Sequence, residues 1–228
     1  MKTIIKFLIP CFCLFWLAGC EDMNSVNQEY LDQGETFYTG KVNALQSFPG
    51  NNRIKFLWNI NSDPRIVRTV IYWEKDDGLD STIIAVNRTQ PGVIAAEKEM
   101  TLPEGNYVFE FITQDGFGHR SIGVERSVSI YGAKYIASLQ NRDIASISRT
   151  KITWLSISSS LIQHTTVRYV DYTDPAHPVS QEVEVENGAT ETALSGARQG
   201  EELSVTTSYL PVNGLDVVEA LPKIYTLP

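Results

Sequence analysis

Short runs of alternating hydrophobic and polar positions fill the chain from about residue 37 onward. Every second position in these runs is mostly β-branched or aromatic, which is the pattern of strands with one buried face. The clearest runs are 54–58, 107–112, 151–154 and 203–209. Asp or Asn followed by Gly, a pair that supplies the positive φ angles of tight hairpins, occurs at 77–78, 115–116, 187–188 and 213–214. The pattern predicts an all-β protein.

The chain also contains an internal repeat. Residues 53–58 match residues 149–154, which lie 96 positions further on, and both segments begin with Arg and end with Trp. Two later pairs of segments match at nearly the same spacing: 70–74 with 167–171, and 102–107 with 194–203. A repeat of roughly 100 residues corresponds to one β-sandwich domain. We therefore predict one domain at 37–132 and a second at 133–228.

The segment 102–107, Leu-Pro-Glu-Gly-Asn-Tyr, resembles a corner of fibronectin type III domains, which also carry a Trp on their second strand. The resemblance implies two tandem fibronectin type III or immunoglobulin-like β-sandwiches with Trp58 and Trp154 in their cores. It also implies that the Tyr107 hydroxyl bonds back to the backbone near the start of the segment, as in a tyrosine corner. The second half departs from the pattern because Leu203 stands at the position of Tyr107, so a second corner is not implied.

The first twenty residues have the pattern of a bacterial export signal. Lys2 and Lys6 precede an apolar run at 7–17, which is shorter than the roughly 20 residues that a membrane-spanning helix needs. Leu-Ala-Gly-Cys at 17–20 follows, and it resembles a bacterial lipobox. The resemblance implies cleavage before Cys20 and attachment of lipid to its thiol. The alternatives are an ordinary secretory signal with a chance cysteine and a retained transmembrane helix.

The lipobox resemblance makes residues 1–19 a lipoprotein signal peptide and residues 20–36 a short lipidated tether. Glu21 and Asp22 resemble the acidic cluster that directs lipoproteins of the Bacteroidetes type to the outer face of the outer membrane. We therefore expect a lipid-anchored outer-membrane protein at the cell surface, with the membrane as a partner through Cys20. Display on the periplasmic face is the alternative.

Two further stretches, 30–42 and 48–53, resemble a family of uncharacterised Bacteroidetes outer-membrane lipoproteins. The similarity extends over nearly all of the chain after the signal peptide. It agrees with the lipoprotein interpretation, and it implies no activity because that family has no assigned function.

Cysteine usage and charge narrow the possible chemistry and partners. Cys11 and Cys13 lie in the predicted signal peptide, so the mature protein would keep only Cys20 and could form neither a disulfide framework nor a cysteine-ligated metal site. The net charge is −8, and loss of Lys2 and Lys6 with the signal peptide would lower it to −10. A protein this acidic repels phosphate backbones, so we expect no nucleic-acid partner.

Catalytic patterns are not found in the sequence. His119, His164 and His177 stand alone without a second ligand at metal spacing, and there is no nucleophile elbow or phosphate-binding glycine loop. His119 and His177 sit next to Gly118 and Pro178, which predicts exposed turns. We therefore expect no catalytic residues, no metal and no cofactor.

One group of residues suggests a binding surface. Alternation along the third strand places Ile71 and Trp73 on one face, and the repeat aligns Ile71 with an arginine, which predicts that this face points outward. Val108 and Ile112 face outward on a neighbouring strand by the same alternation. These four residues would form an apolar patch with a flat indole, a platform for a sugar or a protein. The alternative is that the tether or the second domain covers the patch.

The sequence therefore favours a non-enzymatic, surface-exposed binding or adhesion module, with glycan capture beside an outer-membrane transporter as the hypothesis to test. A structural spacer, or an interaction subunit of an envelope complex with no small ligand, is the alternative from a different class. The fold itself cannot decide between them, because function depends on the site that a fold carries.

Overall fold

The computed structural model describes residues 37–75, 78–157 and 159–228. The predicted signal peptide at 1–19, the tether at 20–36 and the lipid site at Cys20 lie outside the described residues and stay predictions. The part of the chain that is described contains no helix long and apolar enough to cross a membrane.

Seven strands make up the first half of the described chain. They are β1 (Asn43–Gly50), β2 (Arg53–Ile60), β3 (Ile66–Lys75), β4 (Gly78–Ala85), β5 (Ile94–Thr101), β6 (Gly105–Asp115) and β7 (Val124–Ile130). They form a three-stranded sheet in the order β1-β2-β5 and a four-stranded sheet in the order β4-β3-β6-β7, with antiparallel pairing throughout.

The second half repeats this arrangement after a short helix, α1 (Ala133–Ser138). Its strands are β8 (Ile144–Ile147), β9 (Lys151–Trp154), β10 (Ile162–Asp171), β11 (Val179–Val185), β12 (Glu191–Ala193), β13 (Glu202–Tyr209), β14 (Val218–Glu219) and β15 (Lys223–Thr226). One sheet has the order β12-β9-β8, and the other has the order β11-β10-β13-β14, with β15 also paired to β13. The all-β sandwich prediction is confirmed.

Each half has its own hydrophobic core. In the first, Trp58, Phe109 and Phe111 pack with Phe56, whose ring lies 4.7 Å from the Phe109 ring and 5.1 Å from the Phe111 ring in edge-on geometry. Trp154 belongs to the core of the second half. The core positions recur at every second residue because successive side chains of a strand point to opposite faces. Trp58 and Trp154 are therefore core residues, as the resemblance implies.

The tyrosine corner is present in the first half. The Tyr107 hydroxyl donates to the carbonyl oxygen of Pro103 at 3.0 Å, and its ring stacks on Phe109 at 5.7 Å. In the second half Leu203 is buried in the core at the equivalent strand position. The structure therefore confirms the corner that the resemblance implies for segment 102–107.

The connection between β13 and β14 is bonded to the first half. The Asp216 carboxylate accepts the Asn51 N–H at 2.8 Å and the Arg53 Nε at 3.1 Å, and a second Arg53 nitrogen contacts its other oxygen. The Leu215 N–H donates to the Pro49 carbonyl at 2.8 Å. The Arg53 guanidinium holds the pKa of the Asp216 carboxyl below its usual value, so the pair is charged at neutral pH. We call this set of contacts the Asp216 junction.

Glu104 makes a second connection between the halves. Its carboxylate accepts the backbone N–H groups of Lys134 at 2.7 Å and Tyr135 at 2.6 Å, both in the first turn of α1. These N–H groups have no partner within a helix, and the N-cap residue Gly132 has no side chain to bind them. Residues 39–228 form one compact unit. The division into domains at 132–133 remains a prediction.

Candidate binding site

The predicted outward patch is wrong for two of its four residues. Ile71 is 0% exposed and Trp73 is 6% exposed, and both belong to the core of the first half. Val108 does lie on the outer face of the four-stranded sheet and is 50% exposed, as alternation predicts. Ile112 shares that face, but it is only 7% exposed. The four residues therefore do not form one exposed platform.

A shift of one residue in the internal comparison explains the error. Ile71 and Val167 each belong to the core of their half, whereas Arg168 lies on the outer face, where it pairs with Glu182. Ile71 therefore corresponds to Val167, 96 positions further on, and not to Arg168. Because side chains alternate with a period of two, a shift of one position moves every residue of the strand to the other face. The outward counterpart of Arg168 is Tyr72.

The outer face of the sheet is a mixed surface. Arg120 lies over the Tyr72 ring at 5.4 Å and donates from Nη2 to the tyrosine hydroxyl at 3.0 Å. The neighbouring row consists of Ile83, Val70 and Ile112, of which only the edge residue Ile83 is exposed. Without an accessible indole, this face offers apolar and cationic contacts rather than a flat stacking surface.

Trp73 instead contributes to the wall of a pocket. The pocket lies where β3 ends, β4 begins and β5 connects to β6, and it has a volume of about 670 Å³. Trp73 and Tyr107 line it together with Asp80 and Asn106. A volume of this size falls in the range of small-molecule sites, which commonly combine aromatic walls with a few polar groups. This pocket is the candidate binding site.

The charges of the pocket select the kind of ligand it could accept. The described side chains that line it include three carboxylates, Glu74, Asp80 and Glu104, and no lysine or arginine. The Glu104 oxygens are engaged by α1, whereas one Asp80 oxygen accepts the Ser81 N–H at 2.8 Å and its second oxygen remains an acceptor. Carboxylates repel phosphate and sulfate and accept hydrogen bonds from hydroxyl groups. The pocket therefore suits a neutral, hydroxyl-rich ligand.

The histidines show no catalytic arrangement within the described residues. His119 Nδ1 contacts the buried carboxylate of Asp115 at 2.6 Å, and His177 Nδ1 contacts Asp174 at 3.0 Å. Both lie in loops, as predicted, and His164 is on β10 beside Ser208 at 3.2 Å. No group of three His, Cys, Asp or Glu side chains that could hold a metal ion occurs in the described ranges.

A family model matches residues 20–217 of the chain, which is most of its length. The chain belongs to the DUF4998 family. That family is described as a domain of unknown function, so membership assigns no activity and identifies no enzyme class. None of the curated proteins matches the DUF4998 chain in sequence.

Two solved structures similar to this DUF4998 chain contain fibronectin type III domains. One is a two-domain segment of chicken tenascin, with 16% identity, a TM-score of 0.38, and coverage of 82% of this chain and 99% of that chain. The other contains the FN1–FN3 domains of chicken CNTN1, with 12% identity, a TM-score of 0.35, and coverage of 83% and 68% respectively.

Two features of the DUF4998 chain were missed by the sequence reasoning. The pocket was missed because its walls come from three separate strand ends, which no local pattern brings together. Phe117 lies at the tip of the β6–β7 loop and is 90% exposed. Its sequence context, an aromatic residue between Gly116 and Gly118 in a turn, was a usable signal because such a residue cannot reach the core from a tight turn.

Proposed function

We propose that this DUF4998 chain is a non-enzymatic, lipid-anchored binding module at the outer-membrane surface, and that it captures a glycan beside an outer-membrane transporter. The observation that carries the proposal is the pocket of about 670 Å³ with aromatic and carboxylate walls. Lipid attachment at Cys20 supplies the location, and it is supported by the lipobox resemblance at 17–20.

A glycan fits the pocket better than other small ligands for two reasons. Its hydroxyl groups can donate to Asp80 and exchange hydrogen bonds with the Asn106 amide, and such bonds contribute about 0.5–1.5 kcal/mol each. Its apolar C–H faces can pack on the Tyr107 ring, which is only partly buried. An anionic ligand would be repelled by the carboxylates among the described lining residues.

The direct test uses the full-length purified chain on a glycan array, followed by calorimetry with any glycan that binds. Asp80→Ala and Asn106→Ala are expected to weaken binding about tenfold each, because each removes hydrogen-bonding groups from the pocket. Asp174→Ala is the matched control, since it removes an exposed carboxylate in the second half. Equal binding by Asp80→Ala and the unmodified chain would contradict the pocket assignment.

The lipid anchor and the absence of catalysis need separate measurements. Growth with labelled palmitate should label the full chain and leave a Cys20→Ala variant unlabelled. Incubation of the pure protein with polysaccharides should release no reducing sugar. Hydrolysis that survived repurification would contradict the non-enzymatic part of the proposal, and an unlabelled full chain would contradict the anchor.

A structural spacer or interaction subunit is the second candidate function. It is supported by the Asp216 junction and the Glu104 contact, which join the halves without a flexible linker, and by exposed Ile83 and Val108 on the outer sheet face. In this case an envelope protein should co-purify with the chain. Val108→Asp should release that protein, whereas Asp80→Ala should retain it.

A further inference from the structure

Three loops of the first half meet at one end of the sandwich, which we call the tether end. They are the β2–β3 loop (61–65), the β4–β5 loop (86–93) and the β6–β7 loop (116–123). Arg88 in the second loop donates from Nη2 to the carbonyl oxygens of Asn61 at 2.7 Å and Asp63 at 3.3 Å in the first. The binding pocket lies at the opposite end, where β3 ends and β6 begins.

The polypeptide enters the sandwich at this same end. The Thr39 hydroxyl donates to the Thr113 carbonyl at 3.0 Å, and the Thr113 hydroxyl donates to the Gly40 carbonyl at 2.8 Å. The Gly40 N–H contacts Asp63 Oδ2 at 3.3 Å, and Asn43 then pairs with Asn59 near the end of β2. A lipid at Cys20 would thus be connected to the tether end and not to the pocket end.

Phe117 projects from the tether end on a loop that is held in place. Its side chain is 90% exposed, and the buried Asp115 carboxylate accepts the N–H groups of Phe117 and His119, both at 2.9 Å. His119 Nδ1 contacts the other Asp115 oxygen at 2.6 Å. Gly118 has a φ angle of +94°, which residues with a side chain rarely adopt, so the turn behind Phe117 requires glycine. The exposed ring is therefore presented by a built turn.

The surroundings of Phe117 combine apolar and positive groups. Val93, in the β4–β5 loop, and Ile122, in the same loop as Phe117, are also exposed. The net charge of the whole chain is −8, but its three loops at this end carry more positive than negative groups. They contain three arginines and one histidine against one aspartate, namely Arg65, Arg88, Arg120, His119 and Asp63. Exposed apolar side chains with a basic rim are what a peripheral protein presents to an anionic lipid surface.

We propose that the tether end rests on the membrane, with the Phe117 side chain inserted between lipid acyl chains. The inference rests on the proposed lipid anchor. An anchor at Cys20 would keep the tether end near the membrane, because the chain from Cys20 to Thr39 spans at most about 65 Å when extended. Confinement within that distance gives a weak membrane contact a high effective concentration. This orientation places the pocket away from the membrane, where a soluble ligand can reach it.

The test places a fluorescent reporter at the tip of the loop. Phe117→Trp is made in the full-length acylated chain, and the protein is incorporated into vesicles of phosphatidylethanolamine and phosphatidylglycerol with brominated acyl chains. Val179→Trp is the matched control, because Val179 is 54% exposed on the second half. Trp58, Trp73 and Trp154 are buried and supply a constant background.

The proposal predicts that bromine quenches the fluorescence added by Phe117→Trp at least twofold more strongly than that added by Val179→Trp. The emission of the residue at position 117 should also shift to shorter wavelength when vesicles are present. Flotation with the vesicles and the intact mass report acylation separately. A chain that floats and is acylated but shows no difference in quenching overturns the membrane contact and leaves the anchor in place. A chain without acylation overturns the anchor and this inference with it.

Discussion

The buried side chain of Arg142 provides the sharpest test of the second half. The residue is 5% exposed, and its guanidinium donates to the carbonyl oxygens of Leu155, Glu186 and Ala189, with the shortest contact 2.7 Å from Ala189. It also lies over the Trp154 ring at 5.1 Å. Burial lowers the pKa of the Arg142 guanidinium. Arginine stays protonated in proteins, so the group is a buried cation that connects three loop carbonyls.

Replacement of Arg142 by Met keeps a long apolar side chain over Trp154 and removes every side-chain donor. The carbonyl oxygens of Leu155 and Ala189 then lose their Arg142 donors, whereas that of Glu186 keeps the Ala189 N–H at 3.0 Å. An unsatisfied buried acceptor costs about 1–3 kcal/mol. Part of this cost is offset because methionine needs no desolvation of a charge. We therefore expect the free energy of unfolding to fall by about 2–4 kcal/mol. The free energy of unfolding of Arg142→Lys should lie between those of the unmodified chain and Arg142→Met, since an ammonium group has fewer donors than a guanidinium and no fork geometry.

Guanidinium chloride unfolding, followed by tryptophan fluorescence, measures the free energy of unfolding by linear extrapolation. Arg168→Met is the matched control, because Arg168 is on the same half and pairs with Glu182 at the surface at 2.9 Å. Surface pairs contribute less than about 1 kcal/mol. If Arg142→Met lost no more stability than Arg168→Met, the buried guanidinium would not be making these hydrogen bonds, and the account of this region would be wrong.

Two further perturbations address the first half and its connection to the second. Asp216→Ala should speed hydrogen exchange at the Asn51 amide, because that amide donates to the Asp216 carboxylate. Glu219→Ala is the control and should leave this exchange rate unchanged. Equal protection of the Asn51 amide in both variants would refute the Asp216 junction. The Arg65 side chain lowers the pKa of Asp63 from 3.8 to about 2, so this group contributes stability that is complete above about pH 4 and is lost as the pH falls toward 2. As the pH is lowered from 5 to 2, the free energy of unfolding measured by thermal unfolding should fall less steeply in Asp63→Asn than in the unmodified chain, by about 1–2 kcal/mol. Parallel declines in the two proteins would contradict the lowered pKa of Asp63.

The strands were predictable because their signal is local. Alternation at 54–58 and 107–112 reflects which side chains of one strand reach the core, and the repeat doubled that information. The side on which Trp73 lies was not predictable in the same way. It depended on aligning two strands of different sequence, and the alignment through Arg168 was shifted by one position. The spacing of 96 between Trp58 and Trp154 gives Tyr72 as the counterpart of Arg168, which is the relation found in the structure.

Contacts between distant segments left no pattern in the sequence. Arg142 binds carbonyl groups that belong to two different loops, the β9–β10 loop and the β11–β12 loop, and the backbone of any residue could have supplied them. The Asp216 junction joins residues more than 160 positions apart, at a turn that sequence analysis could identify only as Asn-Gly. Such interactions depend on the packed arrangement of elements, so they can be seen only once the fold is known.

If the pocket binds a ligand as proposed, Glu104 links ligand binding to the contact between the two halves. Its carboxylate forms part of the pocket wall and at the same time binds the N–H groups of Lys134 and Tyr135 in the first turn of α1. A ligand that drew this carboxylate toward itself would release the helix and loosen the hold of one half on the other. Coupling between two equilibria is reciprocal. Tension that pulled the halves apart would therefore change ligand affinity, which would make capture sensitive to drag on the bound cargo.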